Sequence, residues 1–374
     1  MKHMTSDMLQ GHATEDATLN YEDRFPELEP AHFRDIMGLR TSSIGIGTYL
    51  GDANAATDQS YKDAIAGAVS IGCNFIDTAI NYRFQRSERT IGAALRHLAD
   101  NGFSRQELII GTKGGFFSFD ASYPADPRAW VRDTFITPGI ITPDDIAAGS
   151  HCMSPAYLTH QVNESRKNLG LETLDIYYIH NPETQLDELN ENEFYGRLES
   201  AFSALEQAVA KGFIRHYGTA TWDGYTATRE SGRLLQLEKV LEQAIKAGGP
   251  GHHFKFIQLP VNLAMPEAFS RVNQTVQKSQ LTILEAARSL NINVIASASL
   301  LQARLTRDLP ATVRQAIPEM PDDASRALQF VRSAPSVTVA LVGMSQTAHV
   351  RQNMELAHLA PLSPQDFDVF FGNR

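Results

Sequence analysis

Residues 60–115, SYKDAIAGAVSIGCNFIDTAINYRFQRSERTIGAALRHLADNGFSRQELIIGTKGG, run twice through one structural cycle. The helical spacing of Ile65, Ala68 and Val69 predicts a helix over 60–70 that stops at Gly72, and the apolar run NFIDTA then reads as a strand. A second helix, with Ser87 as its expected cap, carries Ile91, Ala94, Leu95 and Leu98 on one face and ends near Gly102. LIIGTK supplies the next strand. Continuous apolar strands separated by amphipathic helices predict a parallel sheet covered by helices.

The cycle extends in both directions. Before it stands the strand-like SSIGIGTYL (42–50). After it, beyond an insertion over 115–154, a helix opens at Ser154 and Pro155, bears Leu158, Val162 and Leu169, and is stopped by Gly170 before the strand LDIYYIH. A helix ending at Gly212 precedes HYGTAT, and a helix from about Arg233 to Ala247 precedes KFIQLPVN. The helix around LTILEAARSL leads to NVIASASL, the helix around DASRALQFV to VTVALVG, and a last helix begins near Thr347. The count is eight strands, each with a following helix, which predicts an α/β fold of the (β/α)8 TIM-barrel type. An open doubly wound sheet is disfavoured because no G-x-G-x-x-G follows the first strand.

Two pieces fall outside the cycle. HFRDIMGLRTSS (32–43) is expected to form an N-terminal β-hairpin closing the barrel floor. The long loop after the third strand, 115–154, carries Phe116, Phe117, Phe119, Tyr123 and Trp130, enough aromatic surface to order over a pocket. Residues 1–30 are acidic, polar and aperiodic and are expected to be a poorly ordered arm, leaving 31–374 as a single barrel domain.

Composition narrows the function classes. A chain of 374 residues, 43% hydrophobic and 20% charged, has enough apolar content for a large core. A net charge of -10 and no Lys/Arg run argue against a nucleic-acid partner. No stretch of about 18 uncharged apolar residues or signal-like start occurs, so neither a membrane partner nor export is expected and the cytoplasm is the default location. Cys73 lies in apolar IGCNFID and reads as a small buried hydrophobe; His151 and Cys152 lack further ligands at metal-binding spacing, so no metal is expected.

Chemistry concentrates at the predicted strand ends. Asp77 and Tyr82 lie in IDTAINY, Lys113 in LIIGTKGG and His180 in LDIYYIHNPE, where a barrel presents its catalytic groups. Taken singly, Asp77 and Tyr82 could cap and pack a strand end, Lys113 could be solvated and His180 could bond a loop carbonyl; four such groups together read as a shared site. Carbonyl reduction with a nicotinamide needs a proton donor for the developing alkoxide. A tyrosine, with an ordinary pKa of about 10, needs a cation beside it to serve near neutrality. Lys113 is the expected cation, Asp77 would keep it charged, and His180 would orient the carbonyl oxygen. Arg83 and Arg86 flank the tyrosine and hint at a polar or anionic substrate, although solvated surface positions are the stronger expectation; Glu88 reads equally as a contact to an adenine or as a first-turn acid stabilising its own helix.

DTAINYRFQRSERTIGAAL (77–95) closely resembles a motif of the aldo-keto reductase superfamily: Asp, five positions to Tyr, then Ser-Glu and a helical Gly. Further matches follow in order: TKGG, SRKNLGLETLDIYYIHNP, KGFIRHYGTA, QLPVN and VGMSQTAHVRQNMEL, so the resemblance spans about residues 34–357. It implies a barrel that binds NADPH in extended form and reduces aldehydes and ketones, or oxidises the matching alcohols. Tyr82 is the implied acid/base, with Lys113 and Asp77 as its tuning pair and His180 as the orienter. For the cofactor it implies Gln258 at the carboxamide, joined by Thr221 where the family often has Ser-Asn and this chain has Ala220 and Thr221. The resemblance implies that Gly47, Thr48 and Tyr49 line the nicotinamide pocket; Ser297 stands where the family's stacking aromatic is common, with Leu300 in the same segment. By the same resemblance Gly343, Ser345, Gln352 and Asn353 would form the adenosine-phosphate cradle; Phe116 is expected to border the substrate, and Trp222 to border it or simply pack. No Lys or Arg lies between Met344 and Ala348, so NADH is also admitted, with Arg304 and Arg351 as substitute cations for NADPH. Two other roles share the fold: a nicotinamide-binding regulatory subunit, as in potassium-channel beta subunits, and redox-neutral chemistry on a retained cofactor.

Overall fold

The computed structural model describes residues 8–368. Helix α1 (Glu15–Glu22) leads to the hairpin of β1 (Phe33–Ile36) and β2 (Leu39–Ser42). Met37 and Gly38, at φ of 60° and 86°, make the two-residue turn, a backbone twist that matches paired strands. The chain then alternates β3 (Ile44–Gly47), α2 (Ala55–Val69), β4 (Phe75–Asp77), α3 (Arg86–Asp100) and β5 (Ile109–Gly114). The insertion holds a short α4 (Pro127–Val131), followed by α5 (Pro155–Leu169), β6 (Leu174–His180), α6 (Glu191–Ala210), β7 (Ile214–Ala220), α7 (Leu237–Gly248) and β8 (Phe254–Pro260). A short α8 (Glu267–Ser270) and a small hairpin, β9 (Gln274–Val276) with β10 (Ser279–Leu281), precede α9 (Ile283–Ser289) and β11 (Asn293–Ser297). Then come α10 (Ala311–Ala316), α11 (Asp323–Ser333), β12 (Val337–Gly343), α12 (Thr347–Met354) and α13 (Pro364–Asp368).

Eight parallel strands close the barrel: β3, β4, β5, β6, β7, β8, β11 and β12, the last pairing back onto β3. Strand alternation divides the apolar residues between two cores. Phe75, Ile109, Ile176, Tyr178, Phe256, Ile295 and Val339 fill the interior, and Ile36, Leu39 and Ala13 pack beneath them as the floor. Ile76, Ile110, Tyr177, Ile257 and Val342 belong to the larger core shared with the helices.

The amino-terminal segment is a correction to the expected loose arm. Thr14 caps α1 through the N–H of Ala17, Ala13 donates its N–H to Asp175 (2.7 Å), and the fully buried Tyr21 donates its hydroxyl to the Val69 carbonyl (2.6 Å). A few apolar anchors and one helix cap suffice to seat a polar segment against the barrel, and a periodicity reading does not see them. Residues 1–7 of that expected arm lie outside the described residues.

Other boundaries differ for local reasons. Helix α2 begins before Ser60 because Asn54 accepts the Thr57 N–H (2.9 Å). Ser87 is not the cap of α3: Gln85, at φ 69°, occupies that position, and the Ser87 hydroxyl donates to the Thr48 carbonyl (2.9 Å), tying α3 to the loop after β3. Helix α7 starts at Leu237 rather than Arg233, its first N–H donated to Gln274 (2.9 Å). The insertion packs on itself: Phe117, Val131 and Phe135 form a cluster with Tyr157 of α5, and Phe119 and Trp130 join it. Of its aromatics only Phe116 lines the cavity at the barrel mouth.

Gly218 sits where two barrel strands approach closely. The pairing of β7 with β8 slips at Tyr217/Gly218, and a methyl group on Gly218 would lie 2.0 Å from the Phe256 carbonyl oxygen, backbone that cannot swing aside. Gly218→Ala is expected to cost about 1–3 kcal/mol or more, read as a lowered urea midpoint at unchanged m-value; an unchanged midpoint would show that the strands can separate there.

Candidate active site

The carboxyl ends of the strands surround a cavity of about 620 Å³. Gly47 closes β3 and Asp77 β4, His180 ends β6, Thr221 follows β7, Gln258 comes from β8, Ser297 from β11 and Gly343 from β12; all line it. This is the catalytic end of a parallel barrel.

Beneath the opening sits a buried polar chain. Lys113, 1% exposed, donates its ammonium to an Asp77 carboxylate oxygen and to the Thr78 carbonyl (2.7 Å). The other Asp77 oxygen accepts the Gln258 amide (2.9 Å). Burial pushes the Asp77 carboxyl up and the Lys113 ammonium down, and their mutual attraction opposes both movements. Lys113 Nζ lies 5.2 Å from the centre of the Tyr82 ring. That ring meets His180 edge-on at 5.8 Å between centroids and Tyr49 at 5.0 Å. Phe116 packs edge-on against the other side of His180, 5.2 Å away.

The electrostatics correct one expectation. Burial, then Asp77 and Tyr49, hold the Tyr82 phenol well above its ordinary range, so the net shift is upward and not the lowering expected from Lys113. Asp77 offsets the Lys113 charge, while the ammonium stays over the ring, 5.2 Å from its centre. The phenol is therefore protonated at neutral pH, the form a proton donor needs. His180 is driven well below its ordinary value by burial, with Lys113 and His151 adding to this, so its imidazole is neutral.

Tyr82 is aimed by an unusual turn. Arg83, Phe84 and Gln85 all take positive φ (50°, 57° and 69°), a conformation that costs side-chain-bearing residues of order 1 kcal/mol each unless their surroundings hold it. They are held: the Arg83 guanidinium is buried, donates to the Asp52 carbonyl (3.0 Å) and pairs with Asp58, Arg86 also pairs with Asp58, and Gln85 donates to the Ser118 carbonyl (3.1 Å). Arg83 and Arg86 are thus structural clamps rather than solvated or substrate-reading groups. Glu88 is likewise interior, bonded to Thr112 (2.6 Å) and Asn168 (2.9 Å).

Of the residues expected at the cofactor, Gly47, Thr48, Tyr49, Thr221, Gln258, Ser297, Leu300, Gly343, Gln352 and Asn353 all line the cavity, as do Phe116 and Trp222. Ser345 does not: it faces α2, where its carbonyl accepts the Ser60 hydroxyl (2.6 Å). Arg304 and Arg351 are exposed outside the lining. Sequence reasoning missed Asn81, Ser299, Asp322 and His349, which also line it. Only Asn81, beside Tyr82 in its motif, carried a signal. Asn81 Oδ1, His180 Nδ1, Thr221 Oγ1 and Ser299 Oγ are buried on this wall with no hydrogen-bond partner, as expected where a polar ligand completes the site. Among the described residues no cluster of His, Cys, Asp or Glu is placed to hold a metal, and His151 instead bonds the His180 carbonyl (2.7 Å) and Gln185 (2.9 Å).

Glu183 supports the rim. Its buried carboxylate accepts N–H groups from Trp222 (2.7 Å), Asp223 (3.3 Å) and Gly224 (3.4 Å), fixing the loop that carries Trp222. Burial pushes this carboxyl up to about 7. Between the ordinary glutamate value of about 4.3 and that raised one, the folded protein binds a proton that the unfolded chain has released. Stability from this group therefore falls as pH rises through that window. The difference in unfolding free energy between wild type and Glu183→Gln is expected to decline from about pH 4.5 to 7 and then level off; a flat difference would contradict the raised value.

A profile described as the aldo/keto reductase family matches residues 43–370. The chain belongs to this family. Among proteins similar to it, a putative voltage-gated potassium channel subunit beta of Schizosaccharomyces pombe (strain 972) is 25% identical over 54% of this chain and 47% of that protein. The NADH-specific methylglyoxal reductase of Escherichia coli (strain K12) is 28% identical over 50% of this chain and 48% of that one. These matches span about half the length of each relative. In three dimensions the chain is similar to an aldo/keto reductase from Klebsiella pneumoniae in complex with NADP and acetate, at a TM-score of 0.60 and 20% identity over 90% of this chain and 94% of the other, which shows the shared fold. No helix among the described residues is long and apolar enough to cross a membrane.

Proposed function

We propose that this member of the aldo/keto reductase family catalyses nicotinamide-dependent reduction of a small aldehyde or ketone, or oxidation of the matching alcohol, at the barrel mouth. The observation that carries the reading is the meeting of Tyr82 and His180, 5.8 Å apart between ring centres, above the buried Asp77–Lys113 pair in one cavity. A nicotinamide dinucleotide fits the donor set: Gln258 keeps its carbonyl oxygen free of the Asp77 bond, and the Thr221 and Ser299 hydroxyls lack partners. When bound, the cofactor supplies or accepts the hydride.

The chain's own groups handle the proton. Tyr82 donates from its hydroxyl to the oxygen of the reacting carbonyl, and Lys113 stabilises the phenolate left behind. Neutral His180 donates an imidazole N–H to the same oxygen and fixes its direction. Phe116 and Trp222 line the opening and present apolar surface to the reacting groups. In the oxidative direction Tyr82, as phenolate, takes the proton back.

Substrate-dependent loss of the reduced nicotinamide's near-ultraviolet absorbance with any member of a panel of small aldehydes, ketones and sugars is the test, and no turnover in either direction would overturn the reading. A regulatory binding role is favoured by one observation, the likeness to a potassium channel beta subunit. Tight dinucleotide binding with no turnover on the whole panel would support that role instead.

A further inference from the structure

The pairing of β5 with β6 ends at Gly114 opposite Ile179, one residue short of His180. The next N–H, that of Gly115, is donated to the Gln161 side chain (2.7 Å), so the strand pairing stops before the His180 carbonyl. His151, from the insertion after β5, takes that carbonyl instead: its fully buried ring meets it through Nε2 (2.7 Å). The ring has room because residue 115 is a glycine, where a Cβ would stand 2.7 Å from Nε2. Arg197 of α6, anchored on the Asp144 carbonyl (2.7 Å), donates to Gln185 Oε1 (3.0 Å). A guanidinium has no acceptor, so the Gln185 amide N–H group is turned toward His151 Nδ1 (2.9 Å), which must accept. Burial holds the His151 imidazole down to about 4, so the ring is neutral and its single proton lies on Nε2, facing the His180 carbonyl.

We infer that His151 is a positioning residue for the reaction: its Nε2–H, directed by Arg197 and Gln185, fixes the end of β6 and with it the aim of the His180 ring at the reacting oxygen. The inference rests on the carbonyl-reduction reading above and gives the insertion a part in it. The peptide joining His180 to Asn181 is gripped at both ends, since its N–H is donated to the Ala220 carbonyl (2.6 Å) and its oxygen accepts from His151. Asn181 then takes φ 46°, so the chain turns straight after the residue whose ring enters the cavity, a conformation that needs such a grip. His180 Nδ1 has no hydrogen-bond partner, so the ring takes its direction from this backbone and from the edge contacts of Tyr82 and Phe116. Phe116 also packs edge-on against His151, 5.1 Å away, so one imidazole steadies both neighbours. A donor displaced by about 1 Å from its aligned position costs about 10²-fold in rate.

The test combines kcat and KM for the best-turned-over member of the carbonyl panel, dinucleotide Kd from fluorescence titration, and proton–nitrogen correlation spectra of the imidazoles. His151→Phe keeps a ring beside Phe116 and removes the donor; it should lower kcat by about 10–10²-fold while leaving the dinucleotide Kd within about twofold. His151→Gln carries an amide N–H that can reach the same carbonyl, so it should recover most of that loss, which a packing role alone would not allow. Arg197→Met, at a half-buried helix position, leaves His151 itself in place but frees the Gln185 amide to turn. The wild-type spectrum should show His151 as the neutral Nε2–H form, and Arg197→Met a mixture of the Nε2–H and Nδ1–H forms with a smaller fall in kcat. A wild-type His151 protonated on Nδ1, a His151→Gln protein as slow as His151→Phe, or an Arg197→Met protein with both tautomer and kcat unchanged overturns the inference and leaves the reductase reading intact. So does His151→Phe turning over within about twofold of wild type. A wild type with no turnover on the panel overturns the inference together with the reading on which it rests.

Discussion

Tyr82→Phe should lower kcat for carbonyl reduction by about 10²–10⁴-fold while leaving the dinucleotide Kd within about twofold. The reasoning starts from the hydroxyl's surroundings. The ring is held by Tyr49 and His180 at its edges and by the Lys113 ammonium over its face, contacts that phenylalanine keeps. Only the oxygen is lost. Since burial and Asp77 hold the phenol protonated, the wild-type group enters reduction already carrying its proton. Water admitted in its place has neither the position nor the cation behind it, so the loss falls on kcat rather than on KM, as for a group acting only in the transition state. Measured kcat and KM, with fluorescence titration of the cofactor, separate these terms. A variant turning over within about tenfold of wild type would remove Tyr82 from the chemistry and leave His180 as the proton donor.

The barrel was legible because each strand is a short continuous apolar run and each helix shows one apolar stripe; Phe75-Ile76 and Ile109-Ile110 supply both faces of their strands, as β4 and β5 demand. The proposed catalytic groups Asp77, Lys113 and His180 could be placed because they sit at or near strand ends, where chain order already fixes location. What the sequence hid are contacts between distant segments. Nothing local to Ala13 says that the barrel floor receives it, nothing local to Tyr21 says that its hydroxyl reaches Val69, and nothing local to Ser87 says that its hydroxyl turns to Thr48 instead of its own helix. Asp322 reads as an ordinary helix cap until the cavity is seen to end on it. The tuning of Tyr82 was only half legible for the same reason. Sequence pairs Lys113 with Asp77 but does not show how completely a buried carboxylate absorbs its charge.

That absorption sets the second large effect. Lys113→Met removes the ammonium and leaves the Asp77 carboxylate buried, with the Gln258 amide as its one remaining side-chain partner. Breaking a buried ion pair from one side costs about 3–5 kcal/mol, because the partner's desolvation is no longer compensated. Part of that cost is relieved by protonation of Asp77, whose carboxyl burial already pushes upward. Turnover should fall as well, since a phenolate on Tyr82 would have no cation beside it. The double variant Asp77→Asn/Lys113→Met distinguishes the two roles. It removes both charges of the pair, and the introduced amide can still accept the Gln258 contact, so it should regain most of the stability lost by Lys113→Met yet remain as inactive. Urea unfolding of the four proteins gives the coupling between the two sites, and kcat/KM of the same four gives the chemistry. A double variant no more stable than Lys113→Met would mean that lost packing rather than charge carries the penalty, and one that recovered turnover would show the pair to be scaffolding alone.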